Sequence, residues 1–229
     1  MLVLGIETAT PTCAVAVWGN GQLVAEQRVK LKNMHAEIIA GMIRQVVQQA
    51  RCSLEQMSCI AVSKGPGSFT GLRIGLAMAK GIAFARNLPI VGIATLDAIA
   101  SGIAPVADRI VVALPSRRGE IFAAPYRNLD GQYQREGKIT ALPIADFRQW
   151  SRNIEWVAGP GIAALKEFGI RDKLYLPEIF WEISAAPVAR LGARRFLAGE
   201  MQDLASLEPE YIKPFYTSAK PKAVTKEAC

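Results

Sequence analysis

The segment GPGSFTGLRIG, residues 65–75, stands between an apolar run of strand length, CIAVS at 59–63, and a helix-period stretch from about Thr70 to Arg86. A buried strand that turns through a glycine corner straight into a helix is the joint of an α/β chain. Glycine tolerates the positive φ and the close backbone approach that such a corner needs. Ser68 or Thr70 can cap the orphan amides of the following turn. The corner can hold an anion, or it can be a tight structural turn. It is not a Walker loop, since no GK[ST] follows, and it misses GxGxxG because Thr70 stands where the third glycine belongs.

Ahead of the corner, LVLGI (2–6), CAVAVW (13–18) and LVAEQRV (23–29) read as three strands joined by tight turns, one of them at Gly19, Asn20 and Gly21. From Met34 the period changes: Met34, Ile38, Ile39, Met42, Ile43, Val46 and Val47 recur at helical spacing to about residue 50, with Asn33 as the expected N-cap. A strand at 90–94 and a short helix capped by Thr95 complete a βββαβα unit.

The second half follows the same plan. RIVVAL (109–114), EIFAAPY (120–126) and GQYQREGKI (131–139) read as strands with turns at Arg118/Gly119 and Asp130/Gly131. IADFRQW (144–150) is a short helix and EWVAG (155–159) a strand. Pro160 opens a helix that ends at Gly169, and a last helix runs from Ser184 to Ala198 with Gly199 as its stop. No run of residues repeats, so the duplication rests on pattern. The expected units are 1–104, 105–210 and a basic tail, 211–229.

At roughly 150 residues per domain, 229 residues make one large domain or two small lobes. With 51% apolar residues the chain can bury a core without disulfides or metal, which excludes disordered and disulfide-stapled classes. A single His excludes paired-His zinc motifs within the chain. The four cysteines have no CxxC spacing, and Cys13 reads as a small buried thiol in a reducing compartment. The start lacks a basic leader and no stretch reads as a membrane span, so the expectation is a soluble cytoplasmic protein. A net charge of +7 favours acidic partners. In the tail, Lys213, Lys220, Lys222 and Lys226 form either a solvated terminus or an arm for nucleic-acid phosphate.

Three features bear on chemistry. Glu7, the only acid in the first 25 residues, ends the first strand beside Thr8 and Thr10; it can position a metal-bound phosphate or cap a turn. Gly71, Gly75, Ala79 and Ala83 lie four apart as a small-residue ridge bordered by Leu72, Leu76 and Ile82, suited to packing against a helix of the same chain or of another subunit. His35 starts a helix whose position one turn on is Ile39, so it reads as a polar or capping residue.

IETAT (6–10), SKGPGSFTGLRIGLAMAKGIA (63–83), IVGIATLDAIA (90–100) and RRGEIFAAPY (117–126) resemble the TsaB (YeaZ) family. That family belongs to the ASKHA superfamily of actin, sugar kinases and Hsp70-type ATPases. The resemblance implies an α/β, two-lobed actin-like ATPase fold of duplicated βββαβα units with mixed sheets and flanking helices. It also implies a non-catalytic subunit that binds a TsaD-type paralogue. The paralogue transfers threonylcarbamoyl to N6 of adenosine 37 in tRNAs reading ANN codons, with a TsaE-type ATPase in the full complex and tRNA bound through it. A homodimer is expected when the partner is absent.

TsaD carries an HxxxH metal pair on the helix matching 34–50; here His35 is followed by Ile39, so no metal site and no catalytic residue is expected. Glu7 replaces the superfamily's phosphate-loop Asp, and Pro115, Ser116, Arg117 stand where the family often has DAR. No cofactor of its own is expected, ATP or ADP being a matter for the whole complex. The partner interface implied is His35, Ile38, Ile39, Met42, Gly71, Leu72, Gly75, Leu76, Ala79 and Ala83. The bracing or anion loop is Glu7, Thr8, Gly65, Pro66, Gly67, Ser68, Phe69, Thr70 and Arg73. The alternatives are a small ASKHA-type kinase using Glu7 and this loop, and a glycoprotease-like peptidase.

Overall fold

The computed structural model describes residues 1–30 and 34–212. Strands β1 (Leu2–Glu7), β2 (Thr12–Gly19) and β3 (Gln22–Lys30) are followed by α1 (His35–Gln49), β4 (Met57–Gly65), α2 (Phe69–Arg86), β5 (Ile90–Ala94) and α3 (Thr95–Gly102). The second half carries β6 (Arg109–Pro115), β7 (Glu120–Leu129), β8 (Gln132–Arg135), β9 (Thr140–Pro143), α4 (Phe147–Trp150), β10 (Trp156–Ala158), α5 (Ile162–Phe168), β11 (Leu174–Tyr175) and α6 (Ala186–Leu197).

The two sheets have the same order. The first is β3-β2-β1-β4-β5 and the second β8-β7-β6-β10-β11, each an antiparallel meander continued by two parallel strands. Asn20-Gly21 and Asp130-Gly131 make matching hairpins between the second and third strands of each half, all four residues at positive φ as a type I′ turn requires.

A further match corrects the expectation that no residues repeat. Gly65-Pro66-Gly67 follows β4, Gly159-Pro160-Gly161 follows β10, and the first glycine of each has positive φ. In both halves this corner bonds to the chain just beyond or at the end of the first strand. Ser68 N donates to the Ala9 carbonyl at 2.7 Å, and Gly161 N to the Ala113 carbonyl at 2.9 Å. Three residues escape notice as a repeat until topology aligns them.

Local expectations fail where neighbours decide. The N-cap of α1 is Met34 without a side-chain bond, and Asn33 lies outside the described residues, as does the tail from Lys213. Thr95 is the first residue of α3, not its cap, and its hydroxyl is buried without a hydrogen-bond partner among the described residues. The strand expected over 131–139 stops at Arg135, and β9 returns to the other end of β7. Ala124 and Pro125 lie between the two pairings, and Pro125 has no N–H to offer an outer neighbour.

The final helices trade places. α3 buries Leu96, Ile99 and Ile103 with Ile110, Val112 and Tyr126 of the second sheet. α6 buries Val188, Ala189 and Ala193 against Val3, Ala61 and Val91 of the first. Asp97 pins the crossing: its carboxylate accepts from Tyr126 at 2.8 Å and pairs with Arg135 at 3.0 Å and Arg195 at 3.9 Å. α6 reaches the sheet through two missing side chains, since a Cβ on Gly192 would overlap Ala61, and one on Gly5 would lie 2.6 Å from the Ala185 carbonyl. Gly192→Ala should therefore lower stability by about 1–3 kcal/mol by overpacking, although alanine is the better helix former. Urea unfolding measures this, and a gain in stability would contradict the packing.

Candidate functional site

A cleft of about 1020 Å³ lies between the two sheets. Its first wall is built from Ala9 to Thr12, Pro66 to Phe69, Leu72, and Arg28 and Lys30 of β3. Opposite stand Leu114 to Arg117, Phe122, Pro160, Ala163 and the 178–183 segment, with Glu210 to Ile212 at the side. The two GPG corners thus face one space from opposite lobes, and its size suits a small-molecule ligand.

The loop expected to brace or bind packs against the chain just after β1. Gly67 and Gly71 press on the Ala9 and Thr8 carbonyls and Gly75 on the Thr8 side chain, so a Cβ at any of the three would overlap Thr8 or Ala9 atoms. Ser68 Oγ accepts from Gly71 N at 3.2 Å and caps α2. Arg73 lies 3.7 Å above the Phe69 ring and donates to Tyr211 at 3.2 Å, while Thr70 is exposed at the first turn.

Glu7 faces away from the cleft. It is 1% exposed, its Oε1 accepts from Ala9 N at 2.6 Å, and its Oε2 accepts from the Ser63 hydroxyl. Burial pushes its carboxyl from 4.5 to about 7, against the lowering effect of those two bonds. Burial also raises the Cys13 thiol to about 11, with help from Glu7, and the Cys59 thiol to about 12. Both are packing thiols, as the sequence indicates for Cys13.

A metal–nucleotide, as the superfamily implies, does not fit this donor set. Glu7 is enclosed, and Pro115 and Ser116 occupy the opposite wall. The cleft acids Glu178, Glu182 and Glu210 pair with Lys30, Arg28 and Lys64. His35 Nε2 lies 2.9 Å from the Thr10 carbonyl; a carbonyl only accepts, so this nitrogen carries the proton. Ile39 is buried in the core beneath it.

The interface residues expected from the sequence are corrected in part. His35, Ile39, Met42, Gly71, Leu72, Gly75, Leu76, Ala79 and Ala83 are buried within the chain itself, and only Ile38 is half-buried. Within the small-residue ridge, Gly71 and Gly75 meet Thr8, while Ala79 and Ala83 join the core formed by the first sheet and the buried residues of α1. The adjoining face is open: Ala36 and the expected Ile39 of α1, Leu54, and Ile74, Ala77, Met78, Gly81, Ile82, Ala85 and Arg86 of α2 line a groove of about 600 Å³. The available signal was that α2 is apolar on nearly every side, holding Arg73, Lys80 and Arg86 but no acid in 18 residues. The cleft residues Arg28, Lys30, Phe122 and Trp181 carried no local signal, because they meet only in three dimensions.

Because Glu7 binds its proton more tightly when folded, native stability falls as pH rises from about 4.5 to about 7. Gln in its place keeps an acceptor for Ala9 N and a group for Ser63. Relative to Glu7→Gln, the natural chain should lose up to about 3 kcal/mol between pH 5 and 8. Urea melts of both proteins at the two pH values measure this, and parallel behaviour would refute the enclosure of an ionisable Glu7.

A family model described as "TsaD: tRNA N6-adenosine threonylcarbamoyltransferase" matches residues 29–216. The "tRNA threonylcarbamoyladenosine biosynthesis protein TsaB" of Escherichia coli is 31% identical over 220 residues, 93% of this chain and 95% of that protein. Its Haemophilus influenzae namesake is also 31% identical, over 93% and 94%. The crystal structure of YeaZ from Pseudomonas aeruginosa superposes with a TM-score of 0.76 at 23% identity, over 92% of this chain and 99% of that one. The duplicated sheets with exchanged helices are the two-lobed ASKHA fold expected from the sequence. With a third of its residues shared over nearly its whole length with these relatives, the chain belongs to the TsaB (YeaZ) family.

Proposed function

We propose that this chain is the non-catalytic, activating subunit of a cytoplasmic tRNA threonylcarbamoyladenosine-forming complex, binding a TsaD-type paralogue through the α1/α2 face. The observation that carries the reading is the exposed apolar groove of Ile74, Ala77, Met78, Gly81 and Ile82. Partner interfaces with an apolar helical core bury such faces, and a paralogue with the same pair of helices can meet it pseudo-symmetrically. The same complementarity allows a homodimer when the paralogue is missing. Glu7, held by Ser63 and Ala9 away from the cleft, supports a scaffold role for this subunit. Threonylcarbamoyl transfer to N6 of adenosine 37, ATP or ADP, the TsaE-type ATPase and tRNA then belong to the assembled complex.

Substitutions on the buried ridge cannot test this, because Gly75→Leu would collide with Thr8 and Ala79→Arg would bury a charge. Gly81→Arg and Ala77→Arg alter exposed positions, and Gly81 has open space around it. Each should weaken association with the TsaD-type subunit by on the order of 100-fold with unchanged thermal stability, as for a central interface position. In a reconstituted reaction, threonylcarbamoyladenosine formation should require this chain, and the chain alone should not turn over ATP. Transfer that proceeds equally without it, or ATP turnover by the chain alone, would replace this reading with that of a small ASKHA-type kinase.

A further inference from the structure

Strand β3 is the outer strand of the first sheet, and Glu26, Arg28 and Lys30 share one of its faces by the two-residue period. All three reach the chain between the second sheet and α6. Glu26 Oε1 accepts from Ser184 Oγ at 2.5 Å, Ala185 N at 2.8 Å and Ala186 N at 3.3 Å, where the chain enters α6. Arg28 bonds Glu182 at 2.7 Å and Lys30 bonds Glu178 at 2.9 Å. The segment carrying the two glutamates is anchored to the second lobe: between them Trp181 packs into both of its hydrophobic clusters and donates to the Leu176 carbonyl at 2.8 Å. Leu176 N in turn bonds Val157 of β10 at 2.9 Å. All four charged residues line the cleft.

We propose that Arg28–Glu182 and Lys30–Glu178 form an ionic latch that holds the two lobes closed over the cleft, with the Glu26–Ser184 cluster as its hinge. The partition follows from solvation. Glu26 has a side chain 12% exposed and three donors on one oxygen, so it stays made. The latch pairs have side chains 41–69% exposed, so water and salt compete for them and they open readily. Lys30 stands about 13 Å along the strand from Glu26, at about 3.3 Å per residue, which gives the outer pairs leverage over the opening.

Hydrogen exchange of the full chain, read by mass spectrometry, tests the latch. Arg28→Glu with Lys30→Glu should speed exchange in peptides covering 176–183 by about three- to tenfold, as expected from losing two exposed pairs. A peptide over β1 should keep its rate. Adding Glu178→Lys and Glu182→Lys should restore slow exchange, and the radius of gyration from small-angle scattering should rise with the double variant and return with the quadruple one. The unmodified chain in 1 M KCl should move in the same direction as the double variant, which supplies the test without any substitution. Unchanged exchange on charge reversal, failure of the swapped charges to restore it, or insensitivity of the unmodified chain to salt would each overturn the latch.

Discussion

Thr8 and Ala9 lie so close to the glycine corner and the start of α2 that no side chain fits at Gly67, Gly71 or Gly75, and this seating sets much of the molecule's layout. It brings α2 against the end of β1, lets Ser68 N bond the Ala9 carbonyl, and places His35 where it can bond Thr10. The second lobe repeats the device with Gly159 and Gly161 against Ala113. Two corners of the same build, facing one cleft, are what remain of a duplicated plan whose side chains have diverged. The acid at the end of β1 is enclosed and bonded by Ser63.

The exchange of α3 and α6 explains how two small sheets make one folding unit. Each sheet is covered on one side by a helix contributed from the other half of the chain, so neither half completes its core alone. The Asp97 cluster with Tyr126, Arg135 and Arg195 sits at this crossing. The contacts at the cleft's outer edge are of another kind, being exposed ion pairs on an edge strand. Between the crossing and that rim, Glu26 with Ser184 and Ala185 forms the enclosed joint about which the exposed pairs can part.

Helix α2 shows how far the sequence can be read. Its small-residue ridge is plain at a spacing of four, and that ridge is indeed the close-packed face. What occupies the space above it could not be read, because a ridge of Gly and Ala admits a loop as readily as a helix. Thr8 took the space over Gly71 and Gly75, and Ile74, Ala77 and Met78 on the neighbouring side line an open groove. Glu7 poses the same problem: a carboxylate at a strand tip can face a ligand or its own chain, and Ser63, 56 residues away in sequence, decides.

Element order as far as β8, the Asn20-Gly21 and Asp130-Gly131 hairpins, the glycine corners and the absence of a second histidine beside His35 were determined by the sequence itself. Each depends on backbone conformation or side-chain chemistry within a few residues. The tertiary structure alone decided which face of α2 is hidden, that α6 crosses to the first sheet, and that residues 26, 28 and 30 grip residues 178–186. Those outcomes are contests among segments far apart in the chain, settled by shape, burial and charge only when the whole core closes.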